Sequence, residues 1–158
     1  MATLVYDPEK ESREGFCGVL SSDLISRWSV QEQYIALVEL AAPVTGVFQC
    51  SQTFQGRDVV WLMGNSAALA CLVKGGSPSA DMDGGFAAVH LALAFLHCRI
   101  WFEYVESDSN WSDTASRELF ADRWSQDNQL TLSKATVPSW VWLVDHQDLL
   151  ATVCSKLP

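Results

Sequence analysis

Positive charge is scarce in this chain. Ten Lys and Arg residues stand against nineteen Asp and Glu among 158, a net charge of −9 at pH 7. Sequence-independent affinity for nucleic acid rests on neutralising phosphates, so a chain this acidic is a poor autonomous nucleic-acid binder. Long apolar runs are also missing. None approaches the roughly 20 residues of a membrane span, and no membrane partner is expected. The opening residues, Met1-Ala2-Thr3-Leu4-Val5-Tyr6-Asp7, carry neither the basic region nor the cleavage site of a secretory leader. An intracellular setting, cytoplasm or nucleus, is the expectation. There is no C-x-x-C. The five cysteines (Cys17, Cys50, Cys71, Cys98 and Cys154) are odd in number, scattered and mostly set in apolar surroundings. That suits buried, reduced thiols better than disulfides or a zinc site. No internal repeat or low-complexity tract interrupts the chain.

What the chain has in quantity is apolar surface: 49% hydrophobic residues, seven of them Trp. At this length that is one domain, burying roughly two-thirds of its unfolded surface. Its organising stretch is residues 57–75. Val59-Val60-Trp61-Leu62-Met63 is a near-continuous apolar run, the pattern of a central strand buried on both faces. Gly64 ends the run, and Asn65 is placed to cap a helix over residues 66–73, which Gly75 and Gly76 stop. A strand that hands over to a helix N-terminus presents side chains at the carboxyl end of a sheet, where α/β proteins place their chemistry.

Upstream, residues 3–7 read as a strand ending in Asp7, which Pro8 holds extended. Residues 9–15 read as a loop. Residues 16–20 and 24–28 read as two further strands joined by Ser21-Ser22-Asp23, giving an antiparallel meander. Ser29 and Glu32 form a capping box. The helix it opens carries Tyr34, Leu37, Val38, Ala41, Val44, Val47 and Phe48 at helical spacing. Glu39 sits between Val38 and Leu40 on this largely apolar helix, as a rim residue or a functional one. Pro43 leaves the Glu39 carbonyl without a donor, which predicts a bend. Downstream, a loop over 77–80 precedes a helix over 83–98, on which His90 and His97 read as packed or rim residues. A strand over 100–105 and a polar loop over 106–111 follow. Ser112 then caps a helix carrying Asp113, Ser116, Arg117, Leu119 and Phe120. Residues 125–134 read as polar loop, 137–143 as an aromatic patch and 145–156 as a helix.

Two of these stretches, Gly64-Asn65 with its small-residue helix and the strand followed by Asn110, Asp113, Ser116 and Arg117, together resemble the ribonuclease H domain of retroelement-type reverse transcriptases. The resemblance covers residues 1–124. Residues 125–158 are a C-terminal extension expected to pack on the same domain. The resemblance implies an RNase H-like α/β fold: a five-stranded mixed sheet, strands 1–3 antiparallel and strands 1, 4 and 5 parallel, flanked by helices. The strand over 59–63 would then lie beside the strand of Asp7. It also implies a hydrolase, an endonuclease that cleaves RNA in RNA–DNA hybrids by in-line attack of water. Two Mg2+ (or Mn2+) ions about 4 Å apart assist that attack, held by carboxylates from separate elements. The matching positions are Asp7, Glu39 (within Glu39-Leu40-Ala41-Ala42), Gly64 and Asp113. Glycine stands at 64 where the family carries a metal-binding aspartate, so metal affinity and cleavage are expected to be weak or absent. Asn65, Ser66, Lys74 and Arg117 are the implied substrate contacts. An RNA–DNA hybrid, weakly bound by the isolated domain, is the implied substrate, and a linked polymerase domain the implied partner. The alternative is a non-catalytic structural or interaction module of a retroelement-type polyprotein or a domesticated gene.

Overall fold

The computed structural model of the chain describes residues 1–29 and 34–158. It opens with a hairpin: β1 (Ala2–Asp7) pairs antiparallel with β2 (Ser12–Cys17), Ala2 opposite Cys17 and Asp7 opposite Ser12. The Asp7 carboxylate accepts the Glu9 N–H at 3.1 Å, and Glu11 takes a left-handed φ of 51° to close the turn. The second strand therefore starts at residue 12, and the loop expected over 9–15 is turn and strand. The third strand expected over 24–28 is instead a single helical turn, α1 (Ser22–Ile25). Ser21 Oγ accepts the Leu24 N–H at 3.2 Å, and Leu24 and Trp28, four residues apart, both turn into the core. A spacing of four suits helix and strand alike; the serine cap decides between them.

α2 (Ile35–Gln49) follows and runs through Pro43. Glu32 of the expected capping box lies outside the described residues. After α3 (Ser51–Phe54) come β3 (Asp58–Met63) and α4 (Ser66–Lys74). Asn65 Oδ1 accepts the Ala68 N–H at 2.9 Å, and Gly75, at φ 78°, terminates α4 in the left-handed conformation. The chain continues through α5 (Ala80–Phe95), β4 (Arg99–Tyr104), α6 (Ser112–Glu118), α7 (Arg123–Asp127), β5 (Thr131–Lys134) and α8 (His146–Lys156).

The fold is α/β with a mixed sheet, but the single five-stranded sheet is not formed. Among the described residues the strands make a three-stranded sheet, β1-β2-β5, and a separate pair, β3-β4. β5 runs parallel to β2, Glu14 opposite Thr131, and β4 runs parallel to β3, Asp58 opposite Arg99. β5 occupies residues expected to be loop. Its polarity suits an edge strand, where only Leu132 needs cover. β3 does not pair with β1, and it is not buried on both faces. Trp61 and Met63 point into the core, whereas Val60 and Leu62 are 68% and 56% exposed.

The main core lies between these strands and the helices. α2 and α5 cross so closely that a Cβ on Gly85 would sit 2.8 Å from Leu40 Cδ2. The aromatic patch closes one side: Trp140 packs on Phe48 at 5.2 Å between centroids and Trp142 on Trp28 at 5.6 Å. A smaller cluster, Ala2, Cys17 and Ala115, seals α6 onto the outer face of the β1-β2 hairpin. All five cysteines are free thiols, and burial pushes Cys50 up to about 11. Among the described residues no helix is long and apolar enough to cross a membrane.

Candidate functional site

Because β3 and β4 are parallel, both deliver their chains to the same end. At that end Val105 N–H donates to the Met63 carbonyl at 2.9 Å, which brings the residues after each strand side by side. Asn65 turns into α4, while residues 106–111 lead into α6. Asn110 organises this second exit. Its Oδ1 accepts the Ser112 N–H at 3.2 Å and the Ser112 hydroxyl at 2.8 Å, starting α6 and placing Asp113 in its first turn. Gly64 faces this corner: a Cβ there would lie 3.0 Å from Asn110 Nδ2.

Glu39 lies on α2. Burial pushes its carboxyl pKa up, the Asp113 charge pushes it further, and the chain's amino terminus opposes both. The carboxyl of Glu39 thus feels both the Asp113 charge and the amino terminus that precedes β1. Arg117, one turn along α6, donates to Asp113 at 3.1 Å from an exposed position.

Asp7 is elsewhere. Its carboxylate is buried and takes a hydrogen bond from Arg57 Nη1 at 2.9 Å, with Lys10 Nζ 3.7 Å away. Burial works to raise its pKa, but the Arg57 bond and charge and the Glu9 N–H outweigh it and hold the carboxyl below its ordinary value. Arg57 immediately precedes β3, whereas Gly64 follows it. Asp7 therefore stands at the opposite end of β3 from Gly64. Asp7, expected beside Gly64 with Glu39 and Asp113, is held by Arg57 at the start of β3. The physical reason is the Arg57 guanidinium, which pairs with the buried Asp7 carboxylate.

The expected substrate contacts divide in the same way. Asn65 spends its side chain on the α4 cap, and Ser66 is exposed beside the corner. Lys74 is at the far end of the nine-residue α4, roughly 12 Å away along the axis. Arg117 alone adjoins the carboxylates. Sequence reasoning passed over Arg57, and no local signal marks it; only the meeting of β1 and β3 gives it a role. It also passed over the stacking of Trp111 on Trp124, at 5.0 Å between centroids, which leaves Trp111 64% exposed beside α6.

A pair of Mg2+ ions does not fit this donor set. Bridging two ions needs several carboxylates, and Glu39 and Asp113 are two, one with a raised pKa and one engaged by a guanidinium. Among the described residues no group of three or more His, Cys, Asp or Glu side chains converges. Two carboxylates with water as the remaining ligands suit at most a single hydrated cation. No family model matches the chain, nor does any curated protein or any solved structure.

Proposed function

We propose that this chain is an RNase H-like domain derived from a hybrid-cleaving endonuclease and left with an incomplete metal site. The observation that carries the proposal is the corner itself. Two parallel strands, β3 and β4, end side by side with Gly64 against the Asn110 amide that starts the helix of Asp113, and Glu39 of α2 feels the Asp113 charge. No hydrolytic step is assigned to the chain as it stands, because the residues that would hold two ions are not assembled. Substrate, for this lineage an RNA–DNA hybrid read through its wide minor groove and 2′-hydroxyls, would reach the corner past Arg117 and Ser66. A net charge of −9 leaves delivery to a linked polymerase domain.

The test is cleavage of a labelled RNA–DNA hybrid in Mg2+ and in Mn2+, beside single- and double-stranded DNA. The chain is expected to be inactive or at least a thousandfold below Gly64→Asp, the loss of a charged ligand being worth several kcal/mol. Robust cleavage by the unaltered chain would overturn the assignment of Gly64. A second reading, a non-catalytic interaction module, is favoured by one observation: Asp7 is tied to Arg57 away from the corner, so its retention needs no metal. If Gly64→Asp binds Mg2+ yet cuts nothing, the module reading prevails.

A further inference from the structure

β3 and β4 pair in register: Asp58 lies opposite Arg99, Val60 opposite Trp101 and Leu62 opposite Glu103. Residues opposite one another on neighbouring strands point to the same face, and alternate residues along a strand share it. These six side chains therefore stand on one face of the pair, and contacts within it bear this out. Arg99 donates to Asp58 across the strands at 2.6 and 2.8 Å, and Trp101 Nε1 donates to Glu103 Oε2 along β4 at 3.2 Å. The opposite face carries Trp61 and Met63, which are buried, and Ile100 and Phe102, which pack on the main core. All six residues of the outer face are exposed, Trp101 at 66%.

Val60, Leu62 and Trp101 together present roughly 400 Å2 of contiguous apolar surface, the size at which a patch on a monomer is often functional. With Asp58, Arg99 and Glu103 around it, the face reaches the roughly 600 Å2 per partner at the lower end of specific interfaces. Its charges are self-complementary. Arg99 and Glu103 stand two residues to either side of Trp101. A two-fold axis through Trp101, perpendicular to the strands, therefore lays Arg99 of each copy on Glu103 of the other. Trp101 and Val60 then meet their own counterparts, and Leu62 falls on the aliphatic stem of the second copy's Arg99. Within one chain Glu103 accepts from the Trp101 indole and the Tyr104 N–H, and among the described residues it has no cationic partner. The symmetric contact supplies one, while Arg99 keeps Asp58.

We propose that this face is the interface of a homodimer, in which two copies stack their β3-β4 pairs face to face, strands antiparallel, about a two-fold axis at Trp101. Stacked sheets lie about 10 Å apart, a gap that facing Trp101 rings fill and that Arg99 and Glu103 span. Such an isologous contact closes with two copies, so the apolar face is covered without growth into a fibre. Trp and Arg are also the residue types that dominate interface energetics. The charge of −9 on each copy opposes association and the two Arg99–Glu103 pairs offset it locally, which makes the dimer a weak one. This inference is independent of the nuclease reading.

The test is sedimentation velocity of the full chain over a range of concentration. A reversible monomer–dimer equilibrium is expected, with a midpoint of about 10–100 µM, as for weak interfaces of this size. Trp101→Lys should raise the midpoint at least tenfold and leave the monomer's far-UV CD and melting unchanged, because this side chain is exposed in the monomer. Arg99→Glu places carboxylate on carboxylate at both symmetric contacts, and Glu103→Arg places guanidinium on guanidinium. Each of these variants should be monomeric alone. Mixed in equal amounts they should form a heterodimer, since every facing pair again joins a carboxylate to a guanidinium. The proposal is overturned if the parent chain stays monomeric up to about 1 mM or assembles beyond a dimer. It also fails if any of the three variants dimerises alone as well as the parent chain, or if the mixture stays monomeric.

Discussion

Placing a carboxylate at position 64 tests the corner by stability as well as by activity, and the two can be read apart. In Gly64→Asp the new Cβ lies 3.0 Å from Asn110 Nδ2 and 3.7 Å from the Val105 carbonyl, so a shift of a few tenths of an ångström in the Asn110 amide admits it. That amide can then donate to the new carboxylate, a contribution of about 1 kcal/mol. Against this stand Glu39 and Asp113. A like charge within roughly 8 Å would cost about 2 kcal/mol at an effective dielectric of about 20, and Arg117 would offset only part of it from its exposed position. The net expectation is a loss of about 2 kcal/mol without metal, a fall in Tm of about 4–8 °C for a chain of this size.

Divalent metal should recover most of that loss, and for the variant alone. Three carboxylates can share one Mg2+, and a dissociation constant of about 1 mM would return about 1.4 kcal/mol at 10 mM metal. The assay is thermal unfolding of both proteins in EDTA and in 10 mM Mg2+, with Ca2+ as a non-catalytic comparator. The parent chain should move by less than 1 °C on adding Mg2+, the variant by about 3–5 °C. An identical response in the two proteins would refute the placement of Gly64 among the acids, whatever the hybrid assay returns.

Three further outcomes follow from the same contacts. Glu39 has a raised pKa in the fold, so the folded state binds the proton more tightly than the unfolded one. Its contribution is least unfavourable at low pH, and stability falls as pH rises through the elevated value; Glu39→Gln should flatten that slope in urea titrations between pH 4 and pH 8 and be the more stable form at pH 8. Asp7 behaves oppositely: its depressed pKa adds stability above the unfolded carboxylate range that is lost as pH falls through the folded value. Arg57→Met should abolish that acid-side loss and lower stability at pH 7, read from the same titrations. Leu40→Ala, at a fully buried site against Gly85, should cost about 2–5 kcal/mol in urea denaturation with little change in slope.

What could be read from the sequence was whatever its own neighbours decide. α4 is bounded by an Asn65 cap and a Gly75 terminator that act within one turn, and both appear where the residues place them. Glu39 and Asp113 could each be singled out in advance because each sits in a short pattern of its own, on α2 and α6. The place of Asp7 could not be read in that way. Whether it reaches the Gly64 corner depends on which way β1 runs past β3, and no residue of β1 encodes its direction relative to a strand about 50 positions on. The turn at Glu11, the Ser21 cap of α1 and the pairing of β5 failed for related reasons: a left-handed non-glycine, a spacing shared by helix and strand, and an edge strand polar enough to read as loop. The apolar run of β3 misled most usefully. Val60 and Leu62 have the composition of residues covered on both sides, yet their face is open and, among the described residues, the backbone edge they share is unpaired. Alternation along a half-buried strand turns Trp61 and Met63 inward and Val60 and Leu62 outward, and where the outward positions are also apolar the composition no longer tells an open face from a covered one.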